Sequence, residues 1–357
     1  MFDSPAEAAQ ALRAYFDPPR VELVVKALVP AIVLEPRSGL KMVLGGTRLG
    51  GTPDAPAGFV WPRPPAPADP EEIAKRGNEY AAREMRDHMA LGLPYAFVAQ
   101  IDLAEAAGLG DGASGIPTEG RLLFFYDYAV GPWETGTRPA RVIWDRTPAT
   151  DLTSLSMPED LAAAATKERA ARDAIAAQFP DREGESNKGV EKGTVYGAPG
   201  RAMFLRQTLR LPHPAALEIN ALPSDLAVAA RGGSGSNDAE DFHTAYEEAL
   251  EAHLDGYSGD AWRRNQLLGA PMPEQDDPRY DAVVVSEFGK QYLSREEWDT
   301  RRADILRKAE DWVLLLQVDL GNWMQERFVE GTVYFVIRKD DLAKRRFEQV
   351  VAVYQQT

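Results

Sequence analysis

The chain has 357 residues, of which 44% are hydrophobic and 27% charged, and 40 Lys+Arg against 55 Asp+Glu give a formal net charge of −15. This composition is typical of a globular protein and excludes collagen-like and disordered classes. The absence of Cys excludes disulfides, thiolate nucleophiles and Cys-ligated metal centres. The acidic balance argues against binding to nucleic acid and indicates either solubility or a basic protein as a partner.

The N-terminal residues 1–19 have neither a basic start nor an apolar core, so we expect no secretory signal. The most apolar stretch, Val21–Leu34, is interrupted by Glu22, Lys26 and Pro30 and is too short and too polar to span a bilayer. The sequence therefore predicts a cytoplasmic protein that does not enter a membrane.

Periodicity, capping residues and turn residues predict the elements in chain order. The first part of the chain contains a helix at 4–16 opened by Ser4 and Glu7, a strand or buried helix at 21–34, a Gly- and Pro-rich loop at 44–70, a charged helix at 71–90, and strands at 95–103 and 120–126. The middle part contains an Ala-rich helix at 159–179, a polar loop at 181–200, a strand at 201–211, a flexible link at 231–237 and an acidic amphipathic helix at 238–254. The last part contains a helix opened by Ser294 and Glu297 and strands at 313–320 and 331–337.

The C-terminal third repeats the pattern of the first. Gly51-Thr52-Pro53 lies 47 positions before Gln100 (53 to 100), and Gly269-Ala270-Pro271 lies 46 before Gln317 (271 to 317). This spacing favours an internal duplication over a chance echo of common turn residues. We therefore expect an α+β fold with a mixed or antiparallel sheet built from two related halves, about 41–150 and 256–357, with a helical insertion at about 151–255 and an N-terminal helix and lead-in at 1–40.

The order and spacing of several short motifs resemble the YwqG-like family, a domain family of unknown function. They lie at 45–53 (Gly-Gly-x-x-Leu-Gly-Gly-x-Pro), 58–62, 97–103, 120–125, 266–271, 275–279, 315–319, 331–337, 341–342 and 346–347, so the resemblance covers about 40–355. One departure is Arg263-Arg264-Asn265, where the family pattern has a histidine shortly before the second Leu-Gly. The resemblance implies an α+β fold and a bacterial cytosolic setting, and it implies no mechanism.

Two Gln-x-Asp pairs form the main candidate site. Residues two apart in a strand share a face, so Gln100 projects with Asp102, and Gln317 with Asp319. If the pairs meet across a pseudo-twofold axis, they could hold a cation or perform acid–base chemistry. Alternatively, each Asp caps the turn after its strand and each Gln binds loop backbone groups, which is the interpretation we favour.

Three further residues are candidate ligand or partner contacts. Arg48 lies in the loop at 45–53, which lacks the fingerprints of phosphate-binding loops, so only a contact with an anion stays open there. Trp61 and Trp323 lie in predicted loops, where tryptophan either anchors a partner or covers a core edge. The four histidines form no pair at metal-ligand spacing, so we expect no metal and no cofactor.

Three functions stay open. The first is a non-catalytic protein- or ligand-binding module, with an accessory or immunity role as one version, in which the acidic helix at 238–254 is either a solvated face or a surface for a basic protein. The second is a hydrolase or cation-dependent enzyme that uses Asp102 and Asp319. The third is a small-ligand sensor with a pocket between the halves. Because no nucleophile, metal cluster or cofactor loop is visible, the binding module ranks first.

Overall fold

The computed structural model describes residues 1–36, 39, 41–178, 191–233, 236–253, 264–326 and 329–356. Within these residues the helices are Pro5–Leu12 (α1), Pro18–Lys26 (α2), Pro70–Ala74 (α3), Glu79–Leu91 (α4), Leu103–Ala107 (α5), Glu159–Ala176 (α6), Ser224–Ala230 (α7), Asn237–Ala252 (α8), Pro278–Phe288 (α9), Arg295–Ala309 (α10), Leu320–Met324 (α11) and Lys339–Ala343 (α12).

The strands of the same residues are Val29–Pro36 (β1), Arg48–Leu49 (β2), Asp54–Pro56 (β3), Ala96–Asp102 (β4), Arg121–Tyr126 (β5), Ala140–Asp145 (β6), Leu152–Ser154 (β7), Arg201–Arg210 (β8), Gln266–Leu267 (β9), Trp312–Asp319 (β10), Thr332–Arg338 (β11) and Val351–Gln355 (β12). The predicted polar loop at 181–190, the start of the predicted second half at 256–263, and Arg263 lie outside the described residues.

Ten strands form one sheet in the order β12-β11-β10-β9-β1-β8-β2-β4-β5-β6. Each pair of neighbours in this sheet is antiparallel. β3 and β7 pair separately as a two-stranded ribbon. The predicted α+β class with an antiparallel sheet is therefore confirmed.

The centre of the sheet is the pair β1–β8, which is in register from Val29 opposite Arg210 to Pro36 opposite Met203. β1 also bonds to β9, and β8 also bonds to β2. β1 comes from the segment predicted as a lead-in, and β8 from the segment predicted as a helical insertion. That segment of about 151–255 is thus helical only on either side of a central strand, and both central strands lie outside the ranges predicted for the two halves.

The two halves of the sheet show matching backbone features. The β4–β5 pairing shifts register between Phe97 and Ala99, and the β10–β11 pairing shifts between Leu314 and Leu316. In each case a short helix, α5 or α11, follows the inner strand directly and begins at an aspartate cap. These matched features give the two Gln-x-Asp segments the same local geometry.

The sheet curls so that its outer strands approach one another. Gly136, which precedes β6, exchanges backbone hydrogen bonds of 3.1 and 2.9 Å with Ala352 of β12. Inside the curl, Phe124 of β5 packs edge-on against Phe335 of β11, with ring centroids 5.3 Å apart. The largest apolar core fills this interior and contains residues from both sides of the sheet.

Helices form two separate layers with their own apolar cores. α1, α2, α7 and α8 enclose one core, to which α8 contributes Phe242, Tyr246, Ala249 and Leu250 on one face. α9 and α10 pack against β10, β11 and β12 around another core. The predicted capping box of Ser294 and Glu297 opens α10. A cleft remains where α8 and α10 border one another.

A buried ion cluster joins the two layers beneath this cleft. Asp277, which caps α9 and is 0% exposed, accepts hydrogen bonds from the Arg279 Nε at 2.8 Å and from the Leu217 backbone N–H at 2.9 Å. The Arg279 guanidinium also donates two hydrogen bonds, of 2.7 and 2.6 Å, to the carboxylate of Glu218. Arg279 thereby fixes the turn that begins at Leu217 against α9.

We predict that Arg279→Met lowers the free energy of unfolding by about 3 kcal/mol or more, because it leaves the buried Asp277 carboxylate without its cation. Urea unfolding at neutral pH measures the loss. Arg86→Met is the matched control, since Arg86 pairs with Glu71 on the exposed surface and its removal should change stability little. Equal losses in the two variants would contradict a structural role for the Arg279 cluster.

Candidate functional site

Gln100, a residue of β4, forms hydrogen bonds with the glycine-rich loop that leads into β3. It is fully buried, and its Oε1 accepts a hydrogen bond of 2.9 Å from the Asp54 backbone N–H. Its Nε2 donates to the Gly46 carbonyl at 2.9 Å and to Asp54 Oδ2 at 3.2 Å. All three contacts are with the loop, so the side chain holds backbone and carboxylate groups that are buried away from water.

Arg48 lies opposite Gln100 in the β2–β4 pairing and is 4% exposed. Its guanidinium forms a buried ion pair with Asp54 and donates hydrogen bonds to the carbonyls of Thr52 at 3.2 Å and Val43 at 3.1 Å. The positive charge of Arg48, the residue predicted to contact an anion, is therefore neutralised by Asp54 within the same segment.

Gln317 makes the corresponding contact on the other side of the sheet. Its Oε1 accepts a hydrogen bond of 2.9 Å from the backbone N–H of Met272, which follows Gly269-Ala270-Pro271. Gln266 takes the place of Arg48 opposite it and donates to the carbonyls of Leu268 at 3.2 Å and Ala270 at 2.6 Å. The Gln317 Nε2 is buried and has no hydrogen-bond partner within the described ranges.

The two aspartates cap helices. Asp102 Oδ1 accepts a hydrogen bond of 2.9 Å from Ala104 N at the start of α5, and Asp319 Oδ1 accepts one of 2.9 Å from Asn322 N at the start of α11. Asp319 Oδ2 also lies 3.6 Å from Arg264 Nη1. Burial raises the pKa of Asp319, while the Arg264 cation opposes the shift.

The structure does not bring the two pairs together. Ala99 and Ile101 of β4, and Leu316 and Val318 of β10, belong to the shared interior core. Because side chains alternate along a strand, both Gln-x-Asp pairs lie on the outer face of the curled sheet. In the described chain, no contact joins Asp102 to Asp319, and no cluster of three His, Asp or Glu residues could hold a metal ion.

The two candidate tryptophans are also buried. Trp61 donates a hydrogen bond of 2.8 Å from Nε1 to the Tyr95 carbonyl and packs edge-on against Phe125 at 5.6 Å between ring centroids. Trp323 is 0% exposed and stacks on Tyr128, with centroids 4.3 Å apart. Trp61 belongs to an apolar core with Phe97 and Phe125. Trp323 lies in α11, not in the predicted loop, and belongs to the largest apolar core.

The cleft bordered by α8 and α10 has a volume of about 810 Å³. Its apolar lining consists of Pro214, Ala215, Ala230, Leu250, Leu306, Tyr280 and Trp298. A second cavity of about 360 Å³ shares Asp276, Tyr280 and Trp298 with it and adds Asp281 and Tyr292. The two cavities adjoin at these three shared residues, and we refer to them together as the groove.

The rim of the cleft is charged. Its polar lining consists of His213, Arg231, His243, Glu247, Glu251, Asp276 and Arg302. Tyr280 and Trp298 meet edge-on beneath this rim, with ring centroids 6.0 Å apart. An apolar and aromatic floor with a few polar groups at its edge is the usual composition of a small-molecule binding site.

Three groups of the groove have shifted pKa values, and one of them is Tyr280, whose pKa burial raises to about 12. Burial lowers the pKa of His213 to about 4, with a further contribution from the Arg264 cation, and its Nδ1 accepts a hydrogen bond of 3.2 Å from Ala215 N. Burial raises the pKa of Asp281 to about 6, and the carboxylates of Asp276 and Asp277 add to the shift. At neutral pH, His213 is therefore uncharged, and Asp281 is a carboxylate whose burial lowers the stability of the folded state. Shifted groups of this kind cluster at functional sites.

Sequence reasoning did not identify this groove. Asp276 belongs to the motif at 275–279, and Trp298 follows the predicted helix start at Ser294 and Glu297, so neither position indicates a cleft. The acidic helix at 238–254 was the nearest signal, since Glu247 and Glu251 of α8 border the cleft. The groove takes its lining from three stretches, at 213–231, 243–251 and 276–306, which tertiary packing brings together.

We predict that Gln100→Met destabilises the protein by about 1–2 kcal/mol more than Gln317→Met. Both variants lose the bond to a backbone N–H, but only the first also removes the donor to the Gly46 carbonyl and one of the donors to the Asp54 carboxylate, which keeps its ion pair with Arg48. Urea unfolding of both variants measures the difference. A larger loss for Gln317→Met would contradict the contacts described here.

We predict that Asp281→Asn stabilises the protein at pH 7.5 by about 1–2 kcal/mol and that this gain shrinks towards pH 4. The folded-state pKa of about 6 lies above the value of 3.8 for an unperturbed Asp, so the folded state binds the proton more tightly. Its stability therefore falls as the pH rises from about 4 through 6, and Asn removes this penalty. Urea unfolding of parent and variant at both pH values checks it, and a gain independent of pH would contradict it.

Among the helices of the described chain, none combines the length and the apolar composition needed to cross a bilayer. No curated protein matches the sequence. A family model described as a domain of unknown function, DUF1963, matches residues 47–355, which include both Gln-x-Asp segments, β8 and the lining of the groove. The chain belongs to this DUF1963 family.

Proposed function

We propose that the protein is a non-catalytic ligand-binding module whose ligand occupies the cleft between α8 and α10. The observation that carries this proposal is the cavity of about 810 Å³, whose floor is apolar and aromatic and whose rim is charged. A cavity of this size accommodates a small ligand. Binding in it would involve Tyr280 and Trp298 at the floor and polar groups at the edge.

The contacts of the predicted site favour binding over a hydrolase or a cation-dependent enzyme. Asp102 and Asp319 each accept backbone hydrogen bonds of helices on the outer face of the sheet. Gln100 and Gln317 accept backbone hydrogen bonds from the two proline-containing loops. Their matched roles also support an internal duplication, with β1–β6 and β8–β12 as the repeated units and β1 and β8 exchanged between them.

The remaining parts of the proposal concern the setting. We place the protein in the YwqG-like group of this family, in the bacterial cytoplasm, with an accessory or immunity role. The acidic residues of α8 favour a basic protein as a macromolecular partner. In this setting the groove would report the presence of a ligand to that partner.

A titration with 8-anilinonaphthalene-1-sulfonate, an aromatic probe with one negative charge, tests the binding site. We expect saturable binding at one site, seen as a fluorescence increase, that weakens at least fivefold in Trp298→Ala and in Leu306→Ala. Val228→Ala is the control, because Val228 is an exposed apolar residue of α7 that does not line the cleft. Thermal melting confirms that each variant is folded. Binding that is absent, or that is unchanged in both cleft variants, would contradict the proposal.

A further inference from the structure

The two helices that border the cleft carry opposite charges into it. α8 contributes Glu247 and Glu251, and α10 contributes Arg302. Arg231 and Asp276 add one further charge of each sign to the lining. Glu247 lies 3.5 Å from His243 Nε2, which is its one ion pair in the described chain, and its side chain is 62% exposed. Arg302 forms no hydrogen bond or ion pair within the described ranges. Each helix therefore offers the cleft a charge that the fold does not neutralise.

The space between these charges is apolar. Leu250 and Leu306 lie beside the rings of Tyr280 and Trp298 in the lining of the same cavity. His213 adds no charge near neutral pH, because burial lowers its pKa to about 4. A ligand that spans the cleft from α8 to α10 thus meets Glu247 at one end and Arg302 at the other, with apolar and aromatic residues in the same lining.

This arrangement selects a ligand by charge as well as by shape. A molecule with one charge satisfies one end and leaves the other charge without a partner, which reduces the affinity. A molecule with an ammonium group and a carboxylate satisfies both ends. The guanidinium of Arg302 suits a carboxylate, because its planar donors match the two carboxylate oxygens.

From this arrangement we infer that the ligand of the cleft is a zwitterion of dipeptide size, with its ammonium group at Glu247, its carboxylate at Arg302 and an apolar side chain on Tyr280 and Trp298. The inference rests on the proposed function and names the ligand class of the same site. The volume of about 810 Å³ is sufficient for two residues. Free short peptides and amino-acid derivatives with two opposite charges are members of this class.

Isothermal titration calorimetry with the dipeptide Phe-Leu and its capped forms tests the inference. We expect the zwitterion to bind with a stoichiometry of one. N-acetylation removes the ammonium and C-amidation removes the carboxylate, and we expect each to weaken binding at least fivefold. Comparable affinities of the three forms, or no binding of the zwitterion, would overturn the inference.

Two variants assign each charge to its partner. In Arg302→Gln we expect weaker binding of the zwitterion and no further effect of C-amidation, while the effect of N-acetylation persists. In Glu247→Gln we expect the reverse. The matched controls are Arg307→Gln and Glu248→Gln, which remove charges from the same two helices outside the cleft. If capping weakens binding equally in the parent and in both cleft variants, the zwitterion binds elsewhere and the inference is wrong.

The same titrations separate this inference from the proposed function. If anilinonaphthalene sulfonate binds the cleft in a way that depends on Trp298 but the dipeptide does not bind, the module binds another ligand class and only the inference fails. If neither probe binds at a site altered by Trp298→Ala, both the inference and the proposed function fail.

Discussion

The antiparallel pairing of β1 with β8 is the contact on which the rest of the fold depends. It joins the two sides of the sheet, because β9 reaches the sheet centre only through β1, and β2 only through β8. It also positions the N-terminal helices, since Phe2 exchanges backbone hydrogen bonds with Leu209 near the end of β8. The chain then continues from β8 to His213 at the cleft. Sheet, helical layer and groove are therefore fixed by one pair of strands.

Buried polar residues hold the two glycine- and proline-rich loops against this sheet. A loop that packs on a sheet buries backbone N–H and C=O groups that no strand partner satisfies, and each such group is costly without a hydrogen bond. Gln100 and Gln317 supply those bonds, and their aspartate neighbours cap the helices that follow. The hydrogen bonds that these Gln and Asp residues make within the fold therefore explain the spacing of the repeated Gln-x-Asp pattern.

Local sequence determined most elements but not their arrangement. The strands near Gln100 and Gln317 are short apolar runs beside glycine turns, and the capping pair Ser294–Glu297 marks a helix start. The run at 21–34 stayed ambiguous because it contains the end of α2 and most of β1, separated near Ala27. That β1 pairs with β8 depends on residues about 170 positions later, so no local pattern contains it. The groove was missed for the same reason.

The groove exists because two helical layers keep separate cores. The core of α1, α2, α7 and α8 and the core of α9 and α10 meet at the turn from Leu217, where Ile219 belongs to the first core and Leu217 packs against the second. The Arg279 cluster links the turn to α9, and the neighbouring residues Asp276 and Tyr280 line the cleft. A ligand that contacts α8 and α10 together would add a second link between the layers. Because such a ligand binds only the folded arrangement, its binding free energy would add to the stability of the junction, and occupancy would be coupled to the relative position of the two layers.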